Sequence, residues 1–261
     1  RDGSSKTGGL GIMLSEHTGC MQVVMTTQDR GAWMDTTGRG LVRSMIHSSF
    51  SDGTSSLMGL HAAYQSRVRA GTLDTPFYFW SFAGDGGFTI GAGPIANFFQ
   101  QGDGLLVVYD NRRYANTGAQ VSSTSYPHEN LATTPLGSAI SGNQFTPRDL
   151  IRIAAAHDVG FAATASVANP YDLMEKVRYA INRPGPTFLW VDAPCPKEQG
   201  FADNEAIMLA ELAVESGAFP LVRYQDGVWA FDYLRSLERT GTPVDLKRFF
   251  AKQAKAAHLG K

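Results

Sequence analysis

Apolar residues in this chain gather into short runs bounded by glycine, and two of them dominate the middle. The first, Phe77-Tyr-Phe-Trp-Ser-Phe-Ala83, leads into Gly84-Asp85-Gly86-Gly87 and then a helical stretch, Ile90 to Gln101. The second, Leu105-Leu-Val-Val-Tyr-Asp110, leads into Asn111-Arg-Arg-Tyr114 and Ala115-Asn-Thr-Gly118-Ala-Gln120. Strand, helix, strand is a βαβ unit, and such units build parallel sheets. Ligands of open parallel sheets sit beyond the carboxyl ends of the strands. Asp85 and Asn111 fall there, each at the end of its own strand, and can face one crevice.

The remaining pattern continues the same theme. Leu10 to Leu14 is a short apolar piece before Glu16-His17-Thr18-Gly19-Cys20, and Gly53 to Val68 carries Leu57, Leu60, Ala63 and Tyr64 at helical spacing. Between them, Arg30 to Ser51, with Trp33, has no clear period. Thr146-Pro-Arg-Asp149 reads as a capped helix start, with the helix running through Ala156. Phe161 to Val167 reads as a strand, Pro170 to Asn182 as a helix, and Thr187-Phe-Leu-Trp-Val191 as the last core strand, delivering Asp192-Ala-Pro-Cys195-Pro at its end. Asp203 to Ser216 reads as a helix and Leu221 to Tyr224 as a strand. A helical tail is expected from about 242 to 261, docking Phe249 and Phe250. One α/β domain covering residues 1–261 is the expectation, with a mostly parallel sheet and helices on both faces.

Composition narrows the function classes. At 261 residues the chain can bury a sizeable core, and 18% charged residues is ordinary for a soluble globular protein. A net charge of −1 implies no long-range attraction to nucleic acid or a membrane surface. No run is long enough to span a membrane, and two distant cysteines make no secreted disulfide framework, so the cytoplasm is the expected location. Gly3-Ser-Ser-Lys6-Thr7 lacks the leading glycine and spacing of a Walker phosphate loop.

The chemistry concentrates at the two strand ends. Glycines around Asp85 let the backbone approach an anion, and the following helix can offer its N-terminus to a phosphate. Asp85 and Asn111 supply hard oxygens of the kind Mg²⁺ prefers, with phosphate oxygens completing the octahedron. Alone, a GDGG string is ordinary strand-to-helix punctuation. The paired strand ends and the long polar loop after Asn111 shift the balance toward a divalent metal holding a diphosphate.

These residues also resemble a specific family. GDG followed, after a helix and a strand, by asparagine is the thiamine-diphosphate and magnesium signature. The string YDNRRYANTGAQVSSTSYPHENLATTPLG is similar to the loop of the 2-oxoacid:ferredoxin (acceptor) oxidoreductases, in their thiamine-diphosphate-binding β subunit, and the likeness extends over most of the chain. The resemblance implies the thiamine-diphosphate-binding fold and oxidative decarboxylation of a 2-oxoacid to an acyl-coenzyme A, with electrons leaving through iron–sulfur clusters. It implies Mg²⁺ on Asp85, Asn111 and the backbone carbonyl of Arg113, and cofactor contacts from Gly84, Gly86, Tyr114, Gly118 and Gln120. Asn116, Thr117, Thr18 and His47 are then expected near the thiazolium or the substrate. It implies an α subunit carrying the glutamate that activates the aminopyrimidine, and a γ/δ-type or ferredoxin-like electron-transfer subunit.

Two departures qualify the likeness. Cluster-bearing relatives use four cysteines, an early C-x-x-C pair, Thr-Gly-Cys and Pro-Cys-Pro; only Cys20 and Cys195 are present here, so a 4Fe-4S cluster needs two further thiolates. The missing pair lies upstream of Arg1 or has been lost with the cluster. Arg112-Arg113 stands where many relatives carry an acidic and a small residue, and guanidinium forks could contact substrate, cofactor phosphate or a partner. A clusterless thiamine-diphosphate decarboxylase or synthase shares the GDG string but lacks the Asn-Thr-Gly-x-Gln loop.

Overall fold

The computed structural model describes residues 11–21, 42–232 and 243–260. Trp33, Thr242 and the polar start of the chain lie outside them.

Eight strands form one sheet in the order β10-β9-β7-β8-β4-β3-β1-β2. These are β1 (Gly11–His17), β2 (Val42–Ser48), β3 (Phe77–Gly84), β4 (Gly104–Asp110), β7 (Phe161–Ser166), β8 (Pro186–Asp192), β9 (Val222–Gln225) and β10 (Val228–Phe231). From β7 to β2 every neighbouring pair is parallel, and β9 and β10 close the other edge antiparallel. A two-residue ladder, β5 (Arg113–Tyr114) with β6 (Gln120–Val121), stands apart from the sheet.

Helices cover both faces. On one lie α1 (Gly53–Arg69), α2 (Asp85–Ile90), α3 (Ala92–Gln101) and α4 (Leu150–Ala156), sealing Phe79, Leu106, Val108 and Phe188. On the other, α5 (Pro170–Asn182) covers Leu105, Val107, Leu189 and Val191. Burial on both faces explains why the central strands read as continuous apolar runs. Next come the short α6 (Pro196–Gln199), then α7 (Ala206–Glu215), and finally α8 (Leu246–Ala251), whose Phe249 and Phe250 pack against Leu209, Leu212 and Phe219.

Several expected boundaries move. The helix after β3 does not begin at Ile90: it begins at Asp85, capped by extended Gly84, and breaks at Gly91 into two pieces. Tertiary packing overrides the poor helix propensity of Gly86 and Gly87 here. The cap of α4 is Asp149, whose carboxylate accepts the Arg152 N–H, and Thr146 lies outside it. Residues Asp203–Glu205 form a 3₁₀ turn before α7. Among the described residues the tail is α-helical over Leu246–Ala251, capped by Asp245, and ends in a 3₁₀ turn at Ala257–Gly260. The strand before Thr18 has seven residues, longer than the apolar piece alone suggested, because buried Ser15, Glu16 and His17 extend it.

Candidate active site

The carboxyl ends of β1, β3 and β4 meet at a cleft of about 480 Å³, counting its mouth. Thr18, Gly19, Cys20, Phe50, Gly84, Asp85, Gly86, Tyr109, Asn111, Arg113, Tyr114, Asn116 and Thr117 all border it. β3 and β4 are adjacent and parallel, with Gly84 level with Tyr109, so Asp85 and Asn111 leave neighbouring strands at nearly the same height. After β4 the chain reverses through Arg112, which takes φ = 63° in the left-handed region. That conformation costs a non-glycine residue about 1–2 kcal/mol. It is offset by a 2.6 Å hydrogen bond from the Arg112 N–H to Asp110 Oδ1.

The cleft is shaped by missing side chains as well as present ones. A Cβ on Gly86 would lie 2.3 Å from the Tyr114 ring, and one on Gly19 2.2 Å from the Tyr109 hydroxyl oxygen. Both aromatic rings therefore close on glycine backbone, and Phe50 approaches Tyr114 at 6.1 Å between centroids.

Asp85 is buried, and burial pushes its pKa up to about 8, with the nearby Asp110 carboxylate adding to the rise. The Ser122 and Thr124 hydroxyls pull the other way. Asp110 is also raised, first by burial. The Arg112 guanidinium offsets part of the rise at Asp110, and a cation bound beside the two buried carboxylates would lower both pKa values further. Asn111 offers Oδ1, which among the described residues accepts a single long 3.3 Å bond from the Arg113 N–H. Asp85 and Asn111 thus fit a hard divalent cation, in a cleft whose glycines leave room for an anion. Among the described residues no three His, Cys, Asp or Glu side chains converge on a metal-sized site. The donor set fits magnesium only with amide, backbone and phosphate oxygens.

Both arginines have internal tasks. Arg112 pairs with Asp192 at 2.6 Å, buried, and its guanidinium lies over the Tyr126, Phe219 and Phe249 rings at 4.8, 5.3 and 6.0 Å. Arg113 pairs with buried Glu129 at 2.9 Å and donates to the Glu198 carbonyl at 2.7 Å. Both forks, expected at substrate, phosphate or partner, are engaged inside the chain, where they staple the loop after β4 to β8, α6 and α8, with Arg113 also bordering the cleft.

Among the other expected residues, Thr18 and His47 come together. Thr18 Oγ1 donates to the Ser48 carbonyl at 3.0 Å and so accepts from His47 Nε2 at 3.0 Å. His47 itself is exposed and reaches the cleft only through Thr18. Gln120 does not border the cleft: its amide donates to the Thr117 carbonyl at 2.8 Å and its carbonyl takes the Thr117 hydroxyl. With Gly118 at φ = 111°, it holds the Asn116-Thr117 turn in shape. Cys20 donates to Asn116 Oδ1 at 3.4 Å and receives the Asn111 amide at 3.9 Å. Burial raises its pKa, and Cys195 and Asp85 add to that rise. Tyr109, Phe50 and Thr124 were not singled out as site residues. Tyr109 occupies the last place but one of an apolar strand, a position where a tyrosine is the one sequence cue.

Residues 17–191 match the family model described as the thiamine pyrophosphate enzyme, C-terminal TPP binding domain. The pyruvate synthase subunit PorB of Thermotoga maritima is 32% identical over 216 residues, covering 81% of this chain and 64% of that one. The PorB of Methanocaldococcus jannaschii is 32% identical over 232 residues, with 87% and 75% covered. The chain belongs to the thiamine-diphosphate-binding subunits of the 2-oxoacid oxidoreductases. Family members extend to the ketoisovalerate oxidoreductase subunit VorB of Pyrococcus abyssi, 30% identical with 84% and 70% covered. The chain spans about two thirds of the Thermotoga relative's length and three quarters of the Methanocaldococcus one. A solved 2-oxoglutarate:ferredoxin oxidoreductase from Magnetococcus marinus shares the fold, with TM-score 0.57 at 19% identity over 91% of this chain and 80% of that one.

Proposed function

We propose that this chain is the thiamine-diphosphate-binding component of a multi-subunit 2-oxoacid:acceptor oxidoreductase in the cytoplasm. The reaction joins a 2-oxoacid and coenzyme A into an acyl-coenzyme A. The bond between the carboxyl and oxo carbons breaks, CO₂ leaves, and two electrons pass to an iron–sulfur acceptor with release of one proton. The observation that carries this reading is the placement of Asp85 and Asn111 at adjacent strand ends in one glycine-lined cleft, in a chain of this family.

When bound, thiamine diphosphate supplies a nucleophilic carbon and a ring that takes up the electrons left by CO₂. This chain's residues do the holding. Asp85, Asn111 and the Arg113 carbonyl would bind Mg²⁺, which in turn neutralises the diphosphate. Gly84 and Gly86 let the backbone approach that anion. Phe50, Tyr109 and Tyr114 exclude water from the walls. Thr18, oriented by His47 and the Ser48 carbonyl, and Asn116 with Thr117, supported by Gln120, line the end where substrate is expected.

The iron–sulfur group needs more than this chain holds. Cys20 and Cys195 are its two cysteines, both free, and a cubane needs four thiolates. These two would hold one side of a cluster completed by ligands outside the 261 residues. Free thiols suit a reducing compartment. The family resemblance assigns the glutamate that activates the aminopyrimidine to an α subunit, and among the described residues no glutamate borders the cleft. A γ/δ-type or ferredoxin-like subunit would take the electrons onward.

The test is turnover. The chain alone, with thiamine diphosphate, Mg²⁺, a 2-oxoacid, coenzyme A and a viologen acceptor, is expected to give no acyl-coenzyme A, and the assembled complex to give it. Sustained turnover by the isolated chain would refute the partner requirement. Failure of the assembled complex with every 2-oxoacid would refute the reaction.

A further inference from the structure

Thr124 has no task in the reading above, yet it lies buried beside Asp85, beneath the cleft. It belongs to a run of four hydroxyl residues, Ser122-Ser123-Thr124-Ser125. Their backbone is fixed from several sides. The Ser122 N–H donates to Ser125 Oγ at 2.9 Å, the Thr124 N–H to Ser122 Oγ at 3.3 Å, and the Arg148 N–H to the Ser123 carbonyl at 2.7 Å. The Ser125 hydroxyl donates to the Arg112 carbonyl.

Thr124 is 2% exposed. Its hydroxyl lies 2.9 Å from Asp110 Oδ1 and 3.2 Å from Asp85 Oδ2. A hydroxyl has one proton to donate, and here it is shared between the two carboxylates in a three-centre bond. They are not equally anchored. Asp110 accepts the Arg112 N–H on one oxygen and the Trp190 indole N–H at 2.8 Å on the other, so β4, β8 and the following turn fix its position. Asp85 begins a six-residue helix. Thr124 ties its carboxylate to that rigid frame, and the Ser122 hydroxyl, 3.2 Å from Thr124 Oγ1, supports the tie.

We propose that Thr124 is a positioning residue for the cation site: its hydroxyl tethers Asp85 Oδ2 to Asp110, which aims the remaining Asp85 oxygen at Mg²⁺. The inference rests on the magnesium–diphosphate reading and deepens it. Partners of this kind fix the direction of a metal ligand, and losing one typically costs ~10–100-fold in metal affinity. A merely structural role for Thr124 predicts something else: a buried hydroxyl that steadies its loop, whose loss lowers stability and leaves metal affinity alone.

The experiment compares wild-type, Thr124→Val and Thr124→Ser chains in the assembled complex. Mg²⁺ is titrated calorimetrically in saturating thiamine diphosphate, and the melting temperature of each metal-free complex is recorded alongside. Thr124→Val keeps the shape and removes the hydroxyl, and its Mg²⁺ dissociation constant is expected to rise about 10–100-fold. Thr124→Ser restores the hydroxyl and is expected within about threefold of wild type, by the same reasoning. Wild-type affinity in Thr124→Val, or equal weakness in Thr124→Ser, would overturn the tether. Should Thr124→Val not fold, Thr124→Ala carries the same expectation and the same refutation. A wild-type complex that binds thiamine diphosphate without any need for Mg²⁺ would overturn the underlying reading instead, so the two failures are distinguishable.

Discussion

Glu16 offers a prediction whose size can be worked out from the structure. It stands next to last in β1, level with His47 of β2 and Phe82 of β3, and is 0% exposed. Neither carboxylate oxygen has a hydrogen-bond partner among the described residues. Burial alone pushes its pKa from 4.5 up to about 7. At ~1.4 kcal/mol per pH unit, that rise equals ~3 kcal/mol. The sign follows from linkage: below pH 4.5 the group is protonated in both folded and unfolded chains and carries no penalty. As pH rises toward 7 the unfolded chain ionises first, and folding is progressively disfavoured. Above 7 the full penalty is present. Glu16→Gln removes the charge and keeps the shape, though its buried amide retains a desolvation cost of about 1 kcal/mol or more. The variant is therefore expected to be more stable than wild type by ~1–3 kcal/mol at pH 8, with the gain shrinking below ~1 kcal/mol at pH 5. Urea denaturation of both chains at the two pH values measures this. A destabilised variant at pH 8, or an equal effect at both, would refute the desolvated carboxylate.

Two substitutions test other parts. Gly86→Ala places a methyl 2.3 Å from the Tyr114 ring and is expected to cost ~1–3 kcal/mol of stability and to weaken thiamine diphosphate binding as the ring swings into the cleft; thermal melts and calorimetry check both. Phe249→Ala, at a position 1% exposed, removes a core ring and one wall of the Arg112 aromatic box, and is expected to cost ~3–5 kcal/mol in urea denaturation.

What the chain discloses before folding follows from where its information is local. β3, β4, β7 and β8 read clearly because the sheet buries most of their side chains and the runs are predominantly apolar between glycines and polar turns. β2 did not, since Val-Arg-Ser-Met-Ile-His-Ser mixes polar residues into an edge strand. β10 follows from a local signal too, since Asp226-Gly227 joins it to β9 with φ of 50° and 83°, the positive-φ pair of a tight hairpin. At the site, Asp85 and Asn111 were legible because strand ends and glycines mark them. The pairings of Arg112 with Asp192 and of Arg113 with Glu129 were not. They join residues 80 and 16 positions apart, and no local pattern distinguishes a guanidinium that turns inward from one that faces a ligand. Nor did anything local mark Thr124 as the hydroxyl between two carboxylates.

The central claim is that Asp85 and Asn111 hold a cation that holds the diphosphate. Calorimetric titration of the assembled complex with thiamine diphosphate, with and without Mg²⁺, tests it most directly when wild type is set beside Asp85→Ala. Wild type is expected to bind only with Mg²⁺ present. Asp85→Ala is expected to lose at least ~100-fold in affinity, since a direct ligand outweighs the ~10–100-fold of an outer partner. Metal-independent binding that is unchanged in Asp85→Ala would contradict the claim.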